Sequence, residues 1–500
     1  MIQPNDTTTV LNKADSPILL AQGSAGGGSW QLMSYTCPVN PIHAALLRTG
    51  KILFVSGSGN DPANVDNPPG SAVWNVSNGT FSTPVNPVDD DKGNIPIDLF
   101  CVGHSFLPDG RLMCAGGTLQ YDPFYGLPAY FIFDPITEEW VFQDAMAAGR
   151  WYPTLVTLGD GRILAVSGLE ETGLLETYPS IYSSGTGFSY FSNPTSELPM
   201  YAHLFLLSSG KLFFSGASFQ DTGVSPRILT LPTNFTQAIA ETPTVSGLQQ
   251  AGYVNQAASV LLPPAQDQKV MIIGGGNGFN GQTTNRVNIV NLTDTNPTYT
   301  AAASLNYARM HHNAVLLPDR TVFVCNGSAM GEDGSKATRT PEIYNPATNT
   351  WTTGATANVN NRLYHSLALL LPDGRVATAG GNPDRGDEEL RLEIYSPWYM
   401  SQSRPVINSA PQQVNYNVQF QIQTPQAANI KWVSLIRPMA TTHGLDTEQR
   451  LVNVTINSVS GTTLNVTLTD NKNLTPPGWY MLFITNQNNV PSVANWVKVS

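Results

Sequence analysis

One pattern recurs seven times along these 500 residues: an apolar strand, a tight turn, a second apolar strand and a Gly-rich stop. It reads HAALLRTGKILFVSGSG from His43, HSFLPDGRLMCAGG from His104, YPTLVTLGDGRILAVSG from Tyr152 and YAHLFLLSSGKLFFSG from Tyr201. It continues as NQAASVLLPPAQDQKVMIIGGG from Asn255, HHNAVLLPDRTVFVCNG from His311 and YHSLALLLPDGRVATAGG from Tyr364. The turn residues supply the backbone angles that a tight hairpin needs. Several copies run on into an outer strand with a Tyr or Asp, Pro and Trp pattern, as in YFIFDPITEEW from Tyr130 and PEIYNPATNTW from Pro341. One four-stranded sheet of this size cannot bury both faces. Seven packed radially can, and the ring leaves only short edges.

The period of roughly 50 residues is that of kelch repeats. The expected fold is therefore all-β, with a seven-bladed kelch-type β-propeller over residues 31–400. Residues 1–30 read as a leader or an extended segment. After Tyr399 the repeat stops, and SQSRPVINSAPQQV reads as a linker. The strands KWVSLIRP, LVNVTINSV, LNVTLT, WYMLFITN and ANWVKV follow; their length and spacing predict an immunoglobulin-like β-sandwich over 401–500.

Composition narrows the function. Charged residues are 12% of the chain and the net charge is -11. Nucleic-acid phosphates demand a basic face, so no nucleic-acid partner is expected. No apolar run reaches the roughly 18 residues of a membrane span. No signal peptide is visible in the first 30 residues, yet nine N-x-[ST] sequons suit a secretory route. The expectation is a secreted or extracytoplasmic monomer. Four cysteines without a CxxC make neither a disulfide scaffold nor a zinc knuckle. Cys114 and Cys325 sit among apolar strand residues and read as core.

A propeller sets the first strand of each blade beside the central axis, so one repeat position forms a ring at one mouth. Counting back eight from the turn Asp gives Cys101 from Asp109, Tyr152 from Asp160, His311 from Asp319 and His365 from Asp373. Where Ser209 replaces the Asp, the count gives Tyr201; Tyr364 adds a phenol beside His365. Imidazole with phenolate favours copper or iron over magnesium or calcium, and copper holds such a set in tetragonal geometry. Cys101 and Tyr152 come from consecutive blades in register. A thiol beside a phenol near a redox metal can couple sulfur to ring carbon, and the thioether makes a tyrosyl radical easier to form. Copper and radical together carry two oxidising equivalents, enough for alcohol to aldehyde or hydrated aldehyde to acid.

At this point the chain resembles the galactose oxidase and glyoxal oxidase family over nearly its whole length. FCVGH before the LPDGRLMCAGG hairpin resembles the family's cross-linked cysteine, at Cys101. RWYP resembles the glyoxal-oxidase form of the cross-linked tyrosine, at Tyr152. RLYHSLALLLPDGRV matches the Tyr-His pair and implies Tyr364 as axial and His365 as equatorial ligand. TTHGLDTEQR, between two sandwich strands, implies His443 as the last ligand, on a long loop pushed into the mouth. The resemblance implies a copper ion, a self-generated Cys101–Tyr152 thioether tyrosyl radical, O2 as oxidant and hydrogen peroxide as product. The substrate would be a small aldehyde or primary alcohol, with Tyr364 as general base. Galactose oxidases stack a tryptophan over the cross-link; here SGLEETG puts Glu170 nearest, with Trp151 as another candidate cover. SELPMYAHLF offers no substrate arginine, and no sugar-binding N-terminal domain is expected. Trp151, Tyr201, Met310 and His311 are the expected pocket walls. The rival readings are a non-catalytic kelch interaction module, a copper or other metal protein whose thioether never forms, and a carbohydrate-binding propeller.

Overall fold

The structure is a computed structural model that describes residues 27–89, 95–219, 223–279 and 281–500. Most of the expected N-terminal segment 1–30 lies outside the described residues. Strands dominate, and the described helical elements are short 3-10 turns. None is long and apolar enough to cross a membrane.

Seven blades close a ring. The innermost strands are His43–Leu46, Gly103–Phe106, Thr154–Thr157, Leu204–Leu206, Ala258–Leu261, Met310–Leu316 and Leu367–Leu370. In blades 2, 3 and 7 the turn after this strand is built the same way. The carboxylate of Asp109, Asp160 or Asp373 accepts from the backbone N–H two residues on, and pairs with the Nε of that same arginine. The intervening Gly110, Gly161 and Gly374 take φ of 89°, 85° and 89°, which only glycine reaches cheaply. This is what the repeated D-G-R encodes.

Blade 7 is completed from the far end of the chain. Ser29–Thr36 pairs antiparallel with Arg391–Ser396, so the propeller begins two residues before the expected boundary. Blade 1 is also extended. The hairpin Ala440–Thr442 and Leu445–Asp446 from the C-terminal domain adds to its innermost strand, with Ala44 opposite Thr441 and Ala45 opposite Ala440. The expected long loop is thus a two-stranded hairpin lying along the propeller axis.

The C-terminal domain is a sandwich of seven strands between Gln413 and Val499, in which the long strand Leu451–Ser460 serves both faces. It is not an appendage. One buried apolar cluster runs from Phe213, Val270 and Tyr299 of the propeller to Val433, Leu435 and Tyr480 of the sandwich. At the joint Arg437 pairs with Glu448, both buried, and Glu448 also accepts from the hydroxyls of Ser105 and Thr157 on blades 2 and 3. Burial alone would raise the Glu448 carboxyl; the Arg437 charge and these donors hold it below the usual range. Thr447 donates to Leu155 O, and Gln449 exchanges hydrogen bonds with Leu316 N and Ala314 O of blade 6. The T-E-Q run after the hairpin therefore pins it to three blades.

Candidate metal centre

Residues at or just before the start of the innermost strands carry an unusual backbone. Cys101, Tyr152, Tyr201, Gln256, His311 and His365 have φ of 64°, 62°, 47°, 52°, 58° and 63°. Each non-glycine residue in this left-handed region costs about 1–3 kcal/mol. The strain recurs in six blades because the chain must turn sharply from the mouth into the strand. Backbone bonds tie neighbours together: Tyr152 N donates to Cys101 O, Tyr201 N to Tyr152 O and His311 N to Gln256 O, at 3.0, 3.0 and 3.1 Å. The Cys101 N–H donates to His43 Nε2 at 3.2 Å.

Around this ring five side chains meet. Tyr152 Oη lies 2.7 Å from Tyr364 Oη and 3.0 Å from His443 Nε2. The Cys101 thiol lies close enough to the Tyr152 hydroxyl for each to affect the other's proton. The ligand atoms of Cys101, His365 and His443 all lie within 4.8 Å of one another. All five residues are buried. His443 reaches them from the tip of the axial hairpin, at φ 52°, followed by Gly444 at 74°. Two successive left-handed residues make the tight two-residue turn that fits a hairpin.

Hydrogen bonding fixes both imidazole tautomers. The Asn382 amide nitrogen donates to Asp384 O at 2.7 Å and Asp387 O at 3.0 Å, so its oxygen faces His365 Nδ1 at 3.0 Å. An amide oxygen only accepts. Nδ1 therefore carries the proton, and His365 Nε2, which has no partner in the protein, is a bare lone pair. Thr442 donates its hydroxyl proton to Ile42 O at 3.0 Å, so it accepts from His443 Nδ1 at 2.6 Å. His443 Nε2 is then also a lone pair, facing Tyr152 Oη. Burial lowers His365 to about 3 and His443 well below its ordinary value, with neighbouring histidines adding to the latter. Both are neutral at physiological pH. Burial raises the Tyr152 and Tyr364 phenols and the Cys101 thiol well above their usual ranges. Two imidazole lone pairs, two phenols and a thiol converging out of water suit a borderline transition metal, not magnesium or calcium. A metal would also relieve the orphaned His365 nitrogen.

The expected pocket residues divide. The His311 ring lies 5.5 Å from the Tyr364 ring. Tyr201 packs edge-on to Tyr152 at 4.5 Å, but its hydroxyl is turned to Val102 O. Trp151 packs edge-on to Tyr152 at 3.9 Å and stacks on Phe124 at 4.2 Å. Met310 is buried with its sulfur against the Gly276 backbone. Glu170 bonds to Thr172 and stacks on nothing. The ring lying flat on Tyr152 is Phe219, at 4.5 Å and 16°. No spacing in the sequence identifies it, since it follows the second strand of another blade. Gln256 was missed because the blade 5 turn, PPAQDQ, is longer than the others and throws the count off. Asn382 and Thr442 were legible only as neighbours of their histidines. Glu332 near the mouth has its carboxyl pushed up to about 8, by burial first and by Asp384 second.

Both domains of the chain are similar to known proteins. A family model described as glyoxal oxidase N-terminus matches residues 89–399, and one described as galactose oxidase-like, early set domain matches residues 404–499. A galactose oxidase of Gibberella zeae is 28% identical across 93% of this chain and 69% of its own length. The aldehyde oxidase GLOX of Vitis pseudoreticulata is 25% identical across 94% and 97%. Among solved structures, a fungal alcohol oxidase of the AA5 family in complex with copper superposes with a TM-score of 0.79 over 95% of this chain, at 23% identity. That last likeness concerns the fold.

Proposed function

Because this chain belongs to the glyoxal oxidase family and is an oxidase, we propose that it takes two electrons from a small aldehyde or primary alcohol and passes them to O2, releasing hydrogen peroxide. The observation that carries this reading is the pair of fixed Nε2 lone pairs meeting two phenols and a thiol at one buried point. Tyr152, Tyr364, His365 and His443 would hold a copper ion. When bound, copper supplies one oxidising equivalent and a Lewis acid that lowers the pKa of an alcohol.

The remaining work falls to the chain itself. Deprotonated as a copper ligand, Tyr364 Oη, 2.7 Å from Tyr152 Oη, would accept the substrate hydroxyl proton. A thioether between Cys101 Sγ and a ring carbon of Tyr152 forms with loss of the S–H and one ring C–H. O2 takes those two hydrogens and becomes hydrogen peroxide. Once oxidised, this unit takes a hydrogen atom from the substrate carbon. Phe219, lying flat on Tyr152, keeps water from the radical, the role expected of Glu170 or Trp151. For each turnover one substrate C–H and one O–H are lost, and one O2 becomes one hydrogen peroxide. The enzyme works outside the cytosol, in keeping with its nine sequons.

Intact mass and a peptide map after copper loading in air test the proposal. The expected result is a chain lighter by two hydrogen atoms, with Cys101 and Tyr152 in one cross-linked peptide. The Cys101→Ser variant should keep its full mass and turn over no substrate. An unchanged mass with Cys101 still open to alkylation after denaturation would sink the radical cofactor.

A further inference from the structure

The hairpin turn of blade 6 departs from its counterparts. Blades 2, 3 and 7 put glycine at the left-handed position, followed by an arginine that pairs with the turn Asp. Blade 6 reads Asp319-Arg320-Thr321, and Arg320 itself takes that position, at φ 69°. A non-glycine residue there costs about 1–2 kcal/mol. Asp319 does not hold this arginine; its carboxylate accepts from Thr321 N, Thr321 Oγ1 and Trp398 Nε1. The guanidinium instead reaches the sandwich, where it lies over the Trp432 ring at 4.2 Å and bonds through Nη2 to Asn453 Oδ1. Its Nε is buried without a partner. A second cation, Lys431 Nζ, lies 4.1 Å from the same ring. Joining the domains does not require this arrangement, because Gln266 and Asn453 already exchange two bonds there, at 2.8 and 3.1 Å.

These residues line a cleft of about 480 Å³ between the turns of blades 5 and 6 and the sandwich strands Ile430–Ile436 and Leu451–Ser460. The seven-residue strand Met310–Leu316 separates it from the metal centre, about 20 Å at the usual strand rise. Burial lowers Arg320 to about 10, and Asp267 opposes this only in part. Two cations facing one exposed carboxylate leave the cleft short of negative charge, in a chain whose net charge is -11.

We propose that this cleft binds a uronate, a sugar whose ring bears a carboxylate. Arg320 and Lys431 meet the carboxylate, which a guanidinium fork suits by shape as well as charge. The volume is that of a small-molecule site, and a bare inorganic ion would leave it nearly empty. Asp267 and Thr455 on its walls bond hydroxyls, and Pro264 and Ile456 offer apolar edges to the C–H faces of a sugar ring. The Asp267 carboxylate also repels a dianion such as phosphate more than a monoanion.

The test follows saturation transfer from the copper-loaded full chain, under nitrogen, to galacturonate and to galactose, which differ by a carboxylate against a hydroxymethyl group. Galacturonate should bind about 10-fold or more tightly than galactose, and Arg320→Gly and Lys431→Gln should each weaken it by about that factor. Oxidase turnover should be unchanged in both variants. Arg320→Gly should not lower the melting temperature, since glycine relieves the left-handed φ as the contact with Trp432 is lost. An arginine that only braces the joint would instead lower the melting temperature on Arg320→Gly, and Lys431→Gln, at an exposed residue, would bind galacturonate like the wild type; that result overturns the site. So does absence of transfer to galacturonate, transfer that persists in both variants, or displacement of galacturonate by an equal concentration of phosphate. Retardation of the wild type in a gel containing polygalacturonate, abolished in both variants, would identify a polymer as the source. Binding of the monomer alone would identify a free uronate, and either result supports the site.

Discussion

With both Asn382 amide protons donated to Asp384 O and Asp387 O, only its oxygen remains for His365. The same logic runs through Thr442 and Ile42 O for His443. Partners that orient a ligand without touching the metal typically change affinity 10- to 100-fold. Asn382→Ala and Thr442→Val are therefore expected to weaken copper binding by about that factor, read by competition with a chelator. An Asn382→Asp variant should bind more tightly than Asn382→Ala, because its carboxylate still accepts from Nδ1. Much of this site was legible as residue types in register: Cys101, Tyr152, Tyr201, His311 and His365 fall at one repeat position. The left-handed backbone they share was not, because nothing in a Cys, Tyr or His announces a positive φ. Phe219 was hidden for another reason. It reaches Tyr152 across blades, and strand periodicity carries no information about such contacts.

The axial hairpin is the element on which the centre depends. A Cβ on Gly444 would come within 2.8 Å of His312 O, at a φ of 74°. Gly444→Ala should cost about 1–2 kcal/mol in backbone strain alone. It should also lower copper affinity, since His443 is the preceding residue; thermal unfolding and a copper titration read the two effects. Breaking the Arg437–Glu448 pair at the hairpin's base leaves one charge buried and alone. Arg437→Met should cost about 3–5 kcal/mol by denaturant unfolding. The T-T-H-G-L-D-T-E-Q-R segment was recognisable as a ligand carrier, but not as a hairpin. Its pairing partner, His43–Leu46, lies some four hundred residues earlier, and strands of three and two residues are too short for alternation to declare them.

Across the whole molecule all seven histidines are buried, and burial lowers every one. His203 falls to about 3 against an unfolded value near 6.5. Below that value the unfolded chain binds protons that the native chain refuses. The stabilisation is thus complete above the unfolded value and is lost as pH falls toward 3. Buried Asp98, raised to about 6, works in the opposite sense over a narrower window. The metal-free protein should lose melting temperature on going from pH 7 to pH 5. His203→Gln should show a shallower loss, by up to about 1.4 kcal/mol per pH unit. Equal slopes by calorimetry would count against a neutral, buried His203. Blade number and the order of the two domains followed from the repeat. The closure of blade 7 did not, because Ser29–Thr36 is a lone strand without the turn that marks the others.

That closure bears on how the chain is made. A ribosome delivers Ser29–Thr36 long before Arg391–Ser396, so the first strand waits unpaired through most of synthesis. His443 emerges later still. Cys101 and Tyr152 are therefore exposed to cellular oxidants and stray metal before their pocket exists. On the proposed oxidase reading, oxidative maturation belongs after translation, on a ring already closed by Ser29–Thr36 and by the axial hairpin.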